Sequence, residues 1–142
     1  MTTITVYGIP APQGSKKFVG MSKKGRGILV ESSAKVKPWR QAVTIAAVEA
    51  GARVVGPVSV SMTFTLPRPA AAKKRAHHAT KPDLSKLVRS TEDAITDSGV
   101  WEDDSRVCRT VSEKLYVGSD GALASPGAMI VITPLADQGN KR

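Results

Sequence analysis

Nothing in this chain restricts its fold more than the run Val58-Ser-Val-Ser-Met-Thr-Phe-Thr-Leu66, where apolar and small hydroxyl side chains alternate without a break. Successive side chains of a strand point to opposite faces, so Val58, Val60, Met62, Phe64 and Leu66 form one apolar face and Ser59, Ser61, Thr63 and Thr65 the other. A strand of this kind belongs in a sheet with one face packed on a core. Further strand signals surround it. Ile4 and Val6, with Gly8, alternate until Pro10 and Pro12 end the run; residues 13–31 read as a hairpin with a cationic turn at 23–27; residues 107–117 alternate again, and 127–134 is a short apolar strand.

Two helices complete the pattern. The first spans 39–50, with Pro38 at its start and Gly51 just past its end, the usual asymmetry for Pro and Gly. The second runs from Asp83 to about Asp97. On a helical wheel Leu84, Leu87, Val88, Thr91, Ala94 and Ile95 form one face, and Lys86, Arg89, Ser90, Asp93 and Asp97 gather opposite. Between strand and helix, residues 67–82 (PRPAAAKKRAHHATKP) have no period and read as a long mobile loop. The expected fold is α/β (α+β): one small mixed β-sheet with two main helices packed on one face, in a single domain over 1–136 with a frayed tail at 137–142.

With 21 Lys and Arg against 12 Asp and Glu, the formal charge is +9, so polyanions are attracted before specific contacts form. Nucleic acid is the expected partner. No segment approaches the ~20 apolar residues of a membrane span, and the start lacks the pattern of a secretory signal, so a cytoplasmic protein without a membrane partner is expected. The single cysteine, Cys108, has no placed activating His and reads as a packed or half-exposed thiol. Aromatic content of 4% gives no stacking platform for single strands, Trp39 and Trp101 read as core, and Gly14 lacks the other residues of a phosphate loop. No small-molecule cofactor is expected.

Against this basic background the acids of residues 81–106 stand out. Asp83 falls at the start of the second helix, and Asp103 and Asp104 lie just beyond its end. Singly, each has a structural explanation: Asp83 as a helix cap, the pair as turn residues. Together they can hold a divalent cation beside phosphates, provided the 101–104 segment returns along a helix of ~21 Å.

The run KPDLSKLVRSTEDAITDSGVWEDDSRV closely resembles the core of the RusA family of Holliday junction resolvases, with VYGIPAPQGSKK, Lys37-Pro-Trp-Arg and Lys114 as supporting features. The resemblance implies a homodimer that cuts four-way or branched DNA with Mg²⁺, or Mn²⁺ in its place. It implies Asp83 and Asp104 as catalytic residues and metal ligands, Asp103 as a weaker ligand, Arg89 near the scissile phosphate where the family commonly has lysine, and Asp93 as the acid of the family's D-A-L. Ser85 stands where the family usually has its second acid. Three explanations remain open: Asp83 and Asp104 suffice; Ser85 acts through water while Glu92, Asp93 or Asp103 supplies charge; or the chain binds junctions and cuts poorly.

Lys16, Lys17, Lys23, Lys24 and Arg26 of the hairpin, Lys73, Lys74 and Arg75 of the loop, and Lys86 are the candidate DNA contacts. Their alternative is a solvated surface. His77 and His78 point apart in an extended loop and are expected to meet phosphate or solvent. The functional expectation is an endonuclease resolving Holliday junctions by paired symmetric nicks. The alternatives are a catalytically weak or inactive branched-DNA-binding protein and a basic RNA-binding structural protein.

Overall fold

The structure is a computed structural model that describes residues 1–14, 16–21, 27–31 and 34–136, with the two short strands between 16 and 31 defined by backbone pairing. Strand β1 is Thr2–Tyr7, β2 Lys16–Met21, β3 Gly27–Glu31, β4 Val58–Leu66, β5 Val107–Tyr116 and β6 Gly127–Pro134; helix α1 is Val36–Ala50 and α2 Leu84–Ser98. The main sheet has the order β1-β6-β4-β5. Its first three strands pair antiparallel, and β4 and β5 pair parallel, so the sheet is mixed. β2 and β3 form a separate antiparallel hairpin, and the cationic turn residues Lys23, Lys24 and Arg26 lie outside the described residues, as does the 137–142 tail.

The alternation in β4 does what its period requires. Val58, Val60, Met62, Phe64 and Leu66 are all buried, and they meet Ile4 and Val6 of β1, Ile130 and Ile132 of β6, Trp39 and Val43 of α1, and Leu87, Ala94 and Ile95 of α2 in one core. Each large side chain so buried contributes roughly 1.5–3 kcal/mol. Both helices lie against this face, and α1 packs on α2 and β1. On the opposite face Thr3, Thr5 and Tyr7 of β1 and Ser61 of β4 are exposed, whereas Thr65 is buried and accepts from Leu123 N at 2.9 Å. A side chain at Gly127 would run into the carbonyl oxygen of Val6, so β1 and β6 close over a glycine.

Helix α1 starts three residues earlier than its apolar period suggests, with Pro38 inside the first turn, where its missing N–H costs no hydrogen bond. Both tryptophans are core residues whose indoles find partners: Trp39 Nε1 donates to Thr91 Oγ1 at 3.1 Å and Trp101 Nε1 to Thr96 Oγ1 at 2.7 Å. Ser90 departs from the polar face expected of it. It is fully buried, and its hydroxyl donates to the Ala11 carbonyl at 2.7 Å, tying α2 to the segment after β1.

The 67–82 segment is pinned to the domain. It holds a short 3-10 turn at Ala70–Ala72 with Ala72 buried, and the Arg68 guanidinium donates to the carbonyls of Ala72 and Arg75 at 3.0 and 2.7 Å while lying 4.4 Å over the Tyr116 ring. A sequence rich in Pro and Ala has no period, yet side chains from either end can still fix it.

Candidate active site

Helix α2 carries the site on the side turned from the core. Leu87, Thr91, Ala94 and Ile95 are buried, which leaves Ser85 and Arg89 exposed and Glu92 and Asp93 half-buried along the opposite face. Asp97, farther along, accepts from Arg40 of α1 at 3.0 Å and so belongs to the contact between helices.

Asp83 is the N-cap residue of α2, but its side chain makes no capping hydrogen bond. Its carbonyl accepts from Lys86 N and Leu87 N. The carboxylate is exposed, with Lys86 Nζ 3.9 Å away. The backbone before it is held from β5, where Lys114 Nζ donates to the Thr80 carbonyl at 2.6 Å and to the Pro82 carbonyl at 2.7 Å. The peptide bond between Lys81 and Pro82 is cis.

Beyond α2, Gly99 takes a left-handed conformation that closes the helix. The chain then reverses, with Val54 N donating to Val100 O at 2.7 Å and Trp101 buried. Asp103 caps the 3-10 turn Asp104–Arg106, its Oδ2 accepting from Ser105 N at 3.0 Å, and the hydrogen bonds from Ser105 hold its carboxyl below the usual range. Its turn role is therefore realised. Asp104 is exposed in that turn's first position.

Asp104 acts on the middle of α2. Burial pushes the Glu92 carboxyl up, and the charges of Asp104 and then Asp93 push it further. Burial likewise raises Asp93; Arg40 opposes this, Asp104 adds to it, and Arg89 and Asp97 have smaller opposing effects. The 3-10 turn that carries Asp104 therefore packs against α2, close enough for its charge to be felt at Glu92 and Asp93. Among the described residues, no group of three or more His, Cys, Asp or Glu is placed to hold a metal ion.

Asp83 and Lys86 also border an open cavity of about 680 Å³ between the 9–14 segment, the end of β4 and the 78–83 segment. Lys35 and Lys81 stand at the same cavity. Lys73, Lys74 and Arg75 are exposed on the pinned loop, whereas Lys16 and Lys17 are described only as backbone of β2. His77 is exposed, but His78 is buried, its ring 4.7 Å from that of Tyr116. Burial lowers its pKa, with Lys114 adding to the effect against the backbone hydrogen bonds at His78 and Thr80. Protein packing takes the place of the phosphate or solvent contact expected for it.

The family described as Endodeoxyribonuclease RusA matches residues 8–123. The chain belongs to the RusA family. Its α+β fold of two main helices and a mixed sheet is consistent with a RusA-like topology, and family membership points to a resolvase-type nuclease in general terms. No curated protein matches it significantly. No described helix is long and apolar enough to cross a membrane. In this RusA-family chain the structure also brings Glu92 within the field of Asp104 and places Lys35 and Lys81 at the cavity. Glu92 follows Ser85 by seven residues, two helical turns, and that spacing was the available signal.

Proposed function

We propose that the chain is a structure-specific endonuclease that resolves Holliday junctions and other branched DNA by paired symmetric nicks, acting as a homodimer with Mg²⁺ or Mn²⁺. The observation that carries this reading is the family match over residues 8–123. The Asp83 carboxylate, which caps no backbone N–H and lies 3.9 Å from Lys86 Nζ beside a cavity with three lysines, supports it. A four-way junction offers two equivalent strands, and two copies related by a twofold axis cut one each.

In this reading Lys35, Lys81 and Lys86 bind the phosphate backbone without reading its sequence. Arg89 stays protonated and steadies charge at the scissile phosphate, so it orients the substrate and is not a base. Asp83 and Asp104 are the proposed metal ligands. Asp103 is the weaker third, because Ser105 already occupies its Oδ2. An ion that keeps most of its waters and takes one or two carboxylates with a substrate phosphate fits this donor set. Such an ion supplies an activated water and charge for the leaving oxygen.

The test is a labelled mobile four-way junction incubated with Mg²⁺ and the wild type, Asp83→Asn, Asp104→Asn or Ser85→Asp. Symmetric nicks by the wild type that fall at least about a hundredfold in both Asn variants support the reading. Cleavage unaffected by both removes the site assignment. Ser85 favours a second reading, junction binding with little cleavage, which predicts tight, salt-sensitive binding and no product with either ion.

A further inference from the structure

The cavity beside Asp83 has two chemically distinct parts. One part of its lining is apolar, Pro10, Pro12, Leu66, Pro67, Pro69 and Pro82, with Ile9 56% exposed. Proline has no N–H, so these residues add apolar surface and few backbone donors. Its cations are Lys35, Lys81 and Lys86, with Arg68 already engaged by the carbonyls of Ala72 and Arg75, against the single acid Asp83. A nucleotide has the matching division, a flat base with apolar faces joined to a phosphate.

The walls are fixed in the free chain. Gln13 N donates to Lys86 O at 3.0 Å and Ser90 Oγ to Ala11 O at 2.7 Å, which secures the 9–14 segment to α2. Arg68 and Lys114 secure the opposite wall through the carbonyls of Ala72, Arg75, Thr80 and Pro82. A preformed, largely apolar cavity of about 680 Å³ is within the range that takes ligands of this class.

We propose that this cavity receives one unstacked nucleobase of branched DNA, from the nucleotide next to the phosphate held at Lys35, Lys81 and Lys86. The proposal rests on the endonuclease reading and adds to it a reason for preferring branches. A base at a branch point has already lost part of its stacking, so moving it into the cavity costs less than extruding one from a continuous duplex.

The experiment places aminopurine, a fluorescent adenine analogue, at the branch nucleotide of a four-way junction and titrates the wild-type chain without divalent ions, so that binding is read apart from cutting. Fluorescence rises on binding as the base leaves its stack, and no such rise occurs with the analogue inside a linear duplex. Ile9→Asp puts an anion in the lining of the cavity. It abolishes most of the rise and weakens junction binding about tenfold, the scale of one lost base contact, and weakens linear-duplex binding clearly less, while the melting temperature stays at the wild-type value. A bound junction whose fluorescence does not change overturns the pocket alone, as does a full rise in Ile9→Asp. No binding to four-way DNA at all overturns the pocket together with the endonuclease reading.

Discussion

Lys114 Nζ donates to the Pro82 carbonyl at 2.7 Å, so a residue near the end of β5 holds the peptide that leads directly into Asp83. The same ammonium takes the Thr80 carbonyl at 2.6 Å. Two hydrogen bonds from one charged donor fix the start of α2 relative to the sheet, and with it the direction of a carboxylate that its own helix does not cap. Lys114→Met removes both. Cleavage of bound junction is expected to fall roughly 10–100-fold, in line with the loss of a positioning contact, while junction affinity changes little. Lys114→Arg restores part of the rate. Single-turnover cleavage and equilibrium binding separate the two effects, and lost affinity with an unchanged single-turnover rate would make Lys114 a phosphate contact instead.

Glu92 gives a pH dependence with a defined direction. Burial and the nearby Asp104 raise its pKa in the folded chain. An acid raised on folding binds more protons folded than unfolded, so its contribution lowers stability as pH rises from the ordinary carboxylate pKa through the raised value, and the loss persists above it. Glu92→Gln removes that loss. Its melting temperature should exceed that of the wild type near pH 7, with the difference closing towards about pH 4. Parallel melting curves for the two proteins across this range would show that Glu92 carries no such strain.

The buried pair Trp39 and Thr91 supplies a stability test independent of DNA. Thr91 Oγ1 accepts the Trp39 indole N–H at 3.1 Å and donates to Leu87 O at 2.8 Å. Thr91→Val keeps the volume and leaves the indole donor unpaired in the core, a cost of about 1–3 kcal/mol. Thermal unfolding should shift down by roughly 3–8 °C with junction affinity unchanged. An unshifted melt would mean that water reaches the indole.

What the sequence made legible divides along the range of the interactions involved. The Val58 to Leu66 alternation and the Leu87, Thr91, Ala94 and Ile95 spacing depend on local periods, and the strand and helix they predict match β4 and α2 closely. Ser90 was misplaced because a wheel weighs polarity and cannot see the Ala11 carbonyl that a distant segment brings to it. The order of the 67–82 segment was hidden for the same reason, since Tyr116 and Lys114 of β5 supply its anchors. At the site, the positions of Asp83 and Asp104 at opposite ends of one helical unit could be read directly. How far the return segment reaches along α2 could not, because Trp101 and the Val54 contact determine it.

Ser85 tests the electrostatics of the site without requiring turnover. It lies in the first turn of α2 with its side chain exposed, two residues from Asp83. Ser85→Asp places a negative charge where the helix dipole favours one, by about 0.3–1 kcal/mol, and near a carboxylate that repels it by a similar amount in water. Without divalent ions the two effects nearly cancel, and the melting temperature should stay close to wild type. With millimolar Mg²⁺ an ion between the two carboxylates removes the repulsion, so the variant should gain thermal stability that the wild type does not, and calcium should give a similar gain as a non-redox oxygen-seeking ion. If Asp83 lies at a metal position, the gain disappears in the double variant Ser85→Asp, Asp83→Asn. A gain that persists there would mean that the introduced carboxylate holds the ion with a partner other than Asp83.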